Sequence, residues 1–324
     1  MSPEFKTIDE LQQSLCQNTY VADRALATAI FLMLKLNKPL LLEGEAGVGK
    51  TQVAKTLAEI LKRPLIRLQC YEGLDVNSTI YEWNYTRQML HIRALELQGC
   101  TDTTELERNL FGPDYLIKRP LLKAIELTQD GVAPVLLIDE LDRADQEFEA
   151  FLLELLSDFQ ITIPEIGTIK AAQPPIVVIT SNRTREVHDA LKRRCIYHWI
   201  DYPMPDKEYR IVTLRVPTAS GRLARQLVEF VQGLRKVELY KVPGIAETLD
   251  WAEALVTLDT QELDLPIIRD TLGVLLKYQD DIDAVSKGQL QRILEELRAR
   301  LQAQAEVAMA QNAVDEFSTS SICG

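Results

Sequence analysis

The sequence predicts an α/β fold: a parallel sheet with helices on both faces, followed by an all-helical domain. Three observations carry this. A buried-looking apolar run at 40–42 leads through a glycine-rich turn into an amphipathic pattern at 50–61. Apolar runs of strand length then alternate with helical patterns as far as Pro203. After Pro205 the strand signals stop and only helical periodicity remains. Strands that alternate with helices lie side by side in parallel, with the helices covering both faces.

The chain has 324 residues, long enough for two domains. Hydrophobic residues make up 46 %, enough for a sizeable core. The formal net charge is −12. Nucleic-acid binders display a basic face that displaces counterions, so this charge argues against a nucleic-acid partner. It argues equally against an anionic membrane surface. The cysteines Cys16, Cys70, Cys100, Cys195 and Cys323 are dispersed and form no C-x-x-C, as expected of reduced thiols. The N-terminus has acids where a secretory signal needs a basic and then an apolar region. The longest apolar stretch, 25–36, is interrupted by Lys35 and too short to span a bilayer. The expectation is a soluble cytoplasmic protein without a membrane anchor.

In chain order, Thr7-x-x-Glu10 is a capping box that starts a helix. Residues 23–36 read as a buried helix closed by Pro39, and "LLLE" follows as a strand. In 50–61, Val53, Ala54, Leu57, Ile60 and Leu61 share one helical face. "PLIRLQC" is the second strand, and 78–97 is read as a hairpin beside a helix. "APVLLIDE" (133–140) is a strand and 146–159 an amphipathic helix. Residues 160–171 alternate on both sides of Glu165-Ile166-Gly167, the pattern of a β-hairpin. "PPIVVITSN" (174–182) is a strand, "HDALKRRC" a short helix and "IYHWIDYP" a last strand. The domains expected are 1–205, 206–312 and a disordered tail at 313–324. A stripe of Leu290, Ile293, Leu294, Leu297 and Leu301 reads as domain core.

The turn Gly44-Glu45-Ala46-Gly47-Val48-Gly49-Lys50-Thr51 fits G-x-x-x-x-G-K-[ST]. A phosphate chain must lie against backbone N–H groups, so side chains must be absent where the loop curls. The helix that follows aims its dipole and unpaired N–H groups at the same anion. Lys50 reaches the outer phosphates and Thr51 ligates Mg2+. Asp139 and Glu140 end a buried strand, where ligand sites of such sheets lie. Asp139 suits Mg2+, and Glu140 suits activation of a water, hence hydrolysis. Asn182, at the end of the next strand, is placed to orient that water. Lys192, Arg193 and Arg194 end a short helix, where cations suit the helix dipole and where a guanidinium can also serve a neighbouring subunit's phosphate.

With those residues in place, the sequence resembles an AAA+ ATPase and, within that class, the MoxR family, from about residue 18 to 300. "GEAGVGKT" stands as Walker A, "LLIDE" as Walker B, "ITSN" as sensor 1 and "ALKRRC" as the arginine-finger helix. The hairpin at 160–171 stands where a pre-sensor 1 insertion does, and 76–97 where a helix-2 insert does. The resemblance implies that Gly44 to Thr51 bind ATP, that Thr51 and Asp139 hold Mg2+, and that Glu140, Asn182 and Arg194 act in hydrolysis. Arg193 is the fallback for the finger.

The family's lid arginine is replaced by "LDWA", with Trp251 in its place, and Trp251 reads as lid core. The wording "ETLDWAEAL" is similar to a subgroup associated with maturing carbon monoxide dehydrogenase-type enzymes. The resemblance further implies a ring, a hexamer, a partner with a von Willebrand factor A domain, and a metalloenzyme client remodelled by a chaperone. Two alternatives stay open: a DNA-engaged motor of helicase type, and a nucleotide-bound scaffold with little turnover. His91, His188 and His198 have no metal-ligand spacing.

Overall fold

Leu40, Leu41 and Leu42 are wholly buried, and the strand they begin, β1 (Leu40–Gly44), sits inside a five-stranded sheet. The computed structural model describes residues 5–97, 111–130, 133–300 and 302. Its contacts divide the chain into two units, Met1–Asp201 and Tyr202–Gly324.

In the first unit, α1 (Ile8–Gln17) is capped by Thr7, whose side chain accepts from Glu10 N. The Glu10 carboxylate reaches back one residue further than in a simple capping box and accepts from Lys6 N at 2.8 Å. Asp23 caps α2 (Arg24–Leu36), which ends at Asn37 in the left-handed region. Then come β1, α3 (Lys50–Leu61) and β2 (Leu65–Gln69). Next are α4 (Val76–Ile80), β3 (Tyr81–Trp83), α5 (Tyr85–Leu97), β4 (Leu116–Lys118) and α6 (Pro120–Glu126). The remainder is β5 (Val135–Asp139), α7 (Gln146–Asp158), β6 (Gln160–Ile163), β7 (Gly167–Lys170), β8 (Ile176–Ser181), α8 (Asp189–Lys192) and β9 (Ile196–Ile200).

The main sheet has the order β2-β5-β8-β1-β9, and every pairing in it is parallel. β5 is buried along its whole length, as a strand covered on both faces must be. The order places β8 between β1 and β5, so the carboxyl ends of these three strands are neighbours.

The hairpin expected within 78–97 is not there. β3 pairs antiparallel with β4, in the register Tyr81↔Lys118, and the helix α5 occupies the chain directly after β3. Trp83 and Leu116 are paired and buried together, and Arg119 forms an ion pair with Glu82. The partner is thus a segment more than thirty residues downstream, which local alternation does not reveal. The second hairpin forms as expected: β6 and β7 pair from Gln160↔Lys170 to Ile163↔Gly167, with Gly167 at φ +101°. Ile161 and Ile163 fix its register by burial in the core of the unit.

Among its described residues the second unit has helices and turns but no strand: α9 (Pro205–Arg215), α10 (Gly221–Leu234), α11 (Ile245–Thr257), α12 (Leu265–Leu275), α13 (Gln279–Ser286) and a helical run over 289–300. It begins at Tyr202, and Gln232 Nε2 donates to Pro203 O at 2.9 Å. Its core gathers Leu227, Phe230, Leu255, Leu272 and Ile293 around Trp251. Trp251 is fully buried, lies 5.3 Å from Phe230 between ring centroids, and donates from Nε1 to Thr271 Oγ1 at 2.8 Å. Leu290, Ile293, Leu294 and Leu297 are buried in the same core. Leu301 and the tail at 313–324 lie outside the described residues, as do Cys100 and Cys323. Among the described residues no helix is long and apolar enough to cross a membrane.

Candidate nucleotide-binding site

The turn between β1 and α3 needs its glycines for separable reasons. At Gly44 (φ +153°) a Cβ would stand 2.2 Å from Ile200 O, because the two residues are opposite each other in the β1–β9 register. At Gly49 (φ +94°) the space is open, but the left-handed backbone disfavours any side chain. Gly49 is also the N-cap of α3, and no side chain caps that helix. The first N–H groups of α3 are therefore left for another acceptor. Lys50 is 6 % exposed, and its Nζ donates to Gly44 O at 2.7 Å and Glu45 O at 2.6 Å. Its ammonium is thus folded across the loop. Burial pushes its pKa down from 10.5, while the carboxylates of Asp142, Glu45, Asp139 and Glu140 act in the opposite direction.

Asp139 ends β5 and is 2 % exposed. Its Oδ1 accepts from Thr51 Oγ1 at 2.9 Å and from Thr180 Oγ1 at 2.6 Å. Its Oδ2 accepts from Arg67 Nε at 2.9 Å and Nη2 at 2.6 Å. Four donors from α3, β8 and β2 thus saturate one carboxylate. The next residue, Glu140, is in the left-handed region at φ +57°, a conformation that persists only where its surroundings hold it. Its N–H donates to Thr180 Oγ1 at 2.9 Å, and its Oε2 pairs with Arg143 Nε at 2.9 Å.

Asn182 follows β8 and is half-buried; its backbone N–H donates to Asp142 Oδ1 at 3.1 Å. Asp142 Oδ2 accepts from Thr184 N at 2.9 Å and Thr184 Oγ1 at 2.6 Å. Burial alone would raise the Asp142 pKa, but the hydrogen bonds from Thr184 and Asn182 prevail and hold it below 3.8. Arg193 and Arg194 follow α8 and are exposed, and among the described residues neither makes a side-chain ion pair. No hydrogen bond joins Arg194 to the Asp139 cluster.

The structure therefore brings Lys50, Thr51 and Asp139 together at adjoining strand ends, sets Glu140 and Asn182 beside them, and leaves Arg194 apart. Sequence reasoning missed Arg67, Asp142 and the bridging role of Thr180. Asp142 had a faint signal, as a third acid two positions after Glu140. The Thr51 hydroxyl and Asp139 carboxylate suit Mg2+, which takes one or two protein oxygens and completes its shell with water and phosphate. Among the described residues no group of three or more His, Cys, Asp and Glu could hold a metal ion on its own.

Residues 39–195 match the family model of the AAA domain, dynein-related subfamily. The fold of that segment is the AAA+ P-loop NTPase fold, followed in this chain by a helical region. An uncharacterised protein of Staphylococcus epidermidis is 26 % identical over 257 residues, covering 77 % of this chain and 87 % of its own length. One of Staphylococcus haemolyticus is 26 % identical over 275 residues, covering 82 % and 94 %. Among solved structures, the RuvB Holliday junction branch migration motor of Thermotoga maritima overlaps with a TM-score of 0.44 at 17 % identity, over 84 % of this chain and 72 % of that one. A candidate ATPase from Cytophaga hutchinsonii gives 0.44 at 14 %, over 89 % and 93 %.

Proposed function

We propose that this chain binds ATP with Mg2+ at the Gly44–Thr51 turn and hydrolyses it. The observation that carries the reading is the 2.9 Å bond between Thr51 Oγ1 and Asp139 Oδ1. It joins the helix after the glycine turn to the acid-bearing end of β5, two segments that nothing local in the sequence connects. The AAA domain match over 39–195 supports the same reading.

Each residue's part follows from its chemistry. Backbone N–H groups of the turn and of the start of α3 donate to the phosphate oxygens, and Lys50 neutralises the outer ones. Thr51 and Asp139 hold Mg2+, which when bound supplies positive charge to the phosphate oxygens. Glu140 takes a proton from the attacking water, and Asn182 orients that water. Arg194, exposed and unengaged, is presented to a second copy of the chain, where its guanidinium offsets charge in the transition state. That role requires a ring, for which a hexamer is the expected form.

The likeness of the motifs to the MoxR family supports a finer proposal. Hydrolysis would drive remodelling of a metalloenzyme client, with a von Willebrand factor A domain protein as partner. The β6–β7 hairpin carries Glu165 at its turn and Lys170 at its end, a charge pattern that gives a DNA-tracking reading no support.

The test is phosphate release by the wild type beside Lys50→Ala and Glu140→Gln. The reading expects turnover in the wild type, loss of nucleotide affinity in the first variant, and retained affinity without turnover in the second. Equal traces from all three would refute it.

A further inference from the structure

We infer that Glu43 is a positioning residue that pins the arginine-bearing turn after α8 to the phosphate-loop strand; this rests on the hydrolytic reading above. Glu43 immediately precedes Gly44 and is 2 % exposed. In the sheet it stands between Ser181 of β8 and Trp199 of β9. The rest of the strand before it is leucine, and nothing in sheet packing alone calls for a carboxylate there.

Two side chains converge on that carboxylate. The Tyr197 hydroxyl donates to Oε2 at 3.1 Å. Lys192 Nζ stands 4.0 Å from Oε1, which is buried and accepts no hydrogen bond. A buried carboxylate oxygen without a donor is costly, and the Lys192 charge is what offsets it. Lys192 is the last residue of α8, and Tyr197 is the second residue of β9. Between them lie Arg193 and Arg194, both exposed. The short turn that carries the candidate finger is therefore fastened at both ends to one acid, and that acid adjoins the glycine turn of the same chain. The Tyr197 phenol is pushed above 10.0 by burial and by its bond to Glu43, which agrees with a buried carboxylate facing it.

The consequence is a link between two sites. Glu43 neighbours the phosphate loop of its own chain, whereas Arg194 serves the site of the adjacent copy. A displacement of the loop on nucleotide binding or release is transmitted through Glu43 to Lys192 and Tyr197, and so to the placement of Arg194. Glu43 touches no substrate and acts only through that turn.

The experiment uses the full chain and three variants, Glu43→Gln, Lys192→Met and Arg194→Ala, each checked for an unchanged melting curve and assembly state. Binding is read with a fluorescent ATP analogue and turnover by phosphate release. Glu43→Gln and Lys192→Met are expected to keep nucleotide affinity within about twofold and to lose turnover by about tenfold to a hundredfold, which is what a misplacement of about 1 Å can cost. Adding either change to Arg194→Ala produces no further loss. Mixing Glu43→Gln with Glu140→Gln subunits restores turnover, because each supplies what the other lacks. A role confined to its own phosphate loop would instead weaken nucleotide binding and give no rescue in the mixture, and that result overturns the proposal. If the wild type depends on Arg194 but is indifferent to both Glu43→Gln and Lys192→Met, the positioning role falls alone. If turnover is indifferent to Arg194→Ala, the finger reading falls and the positioning role with it.

Discussion

Arg67 lays its guanidinium against Asp139, with Nε at 2.9 Å and Nη2 at 2.6 Å from the same oxygen, Oδ2. The acid proposed to hold Mg2+ is thus already neutralised by a cation from the edge strand β2. The Arg67 side chain is half exposed, so it can swing away at little packing cost. Metal and guanidinium then compete for one carboxylate. Arg67→Gln is expected to lower the Mg2+ concentration that half-saturates ATP-analogue binding, by about threefold to tenfold for one charge-assisted contact removed. An unchanged or raised Mg2+ midpoint would show that the pair does not compete with the metal.

Gly44 adds a steric demand to the conformational one that Gly49 carries alone. Gly44→Ala forces a Cβ to within 2.2 Å of a backbone oxygen that belongs to a paired strand and has no rotamer to change. A loss of about 3 kcal/mol is expected from overpacking against so rigid a neighbour. Gly49→Ala meets no atom closer than 4.0 Å and suffers only the left-handed backbone, about 1–2 kcal/mol. Urea unfolding of the two variants checks the order, and equal losses would mean that the Ile200 contact relaxes freely.

Asp142 makes the loop after β8 sensitive to acid. Its folded pKa lies below the ordinary 3.8, so its stabilisation is complete above that value and is lost as pH falls through the folded pKa. Asp142→Asn keeps the shape but replaces one charged acceptor oxygen with a donor that faces an N–H. About 2 kcal/mol should be lost at neutral pH, with the gap to wild type narrowing in strong acid. Denaturant melts at two pH values measure it. A gap that stays constant into acid would contradict the assignment.

Trp251, at the position where the sequence resemblance sets a lid arginine, fills the core of the second unit. Trp251→Phe removes its bond to Thr271 and should cost about 1 kcal/mol, whereas Trp251→Ala should cost about 3–5 kcal/mol. Nucleotide affinity of the Phe variant should match wild type. A clear loss of affinity without loss of stability would mean that the ring senses nucleotide directly.

The sequence disclosed those parts of the site whose signal is continuous along the chain. The glycine turn is framed by an apolar run and a helical stripe, so strand, loop and helix are legible together. Asp139 and Glu140 follow the apolar run Val135–Ile138, and their place at a strand end follows from that alone. Arg67, Thr180 and Glu43 are polar residues within otherwise mostly apolar strands. What each touches is set by sheet order, and a parallel sheet brings together residues from distant parts of the chain. Arg67 reaches Asp139 across 72 positions, and Glu43 reaches Tyr197 across 154. The β3–β4 pairing escaped for the same reason, since its strands are three residues each and a helix begins straight after the first.

The most direct test of the central claim is a calorimetric titration of Mg·ATP into the wild-type chain and into Lys50→Met. The account predicts saturable binding by the wild type, with at least about a tenfold loss of affinity in the variant, since the ammonium is a charged partner of the phosphates. Equal binding by both chains, or no heat of binding in the wild type, would contradict it.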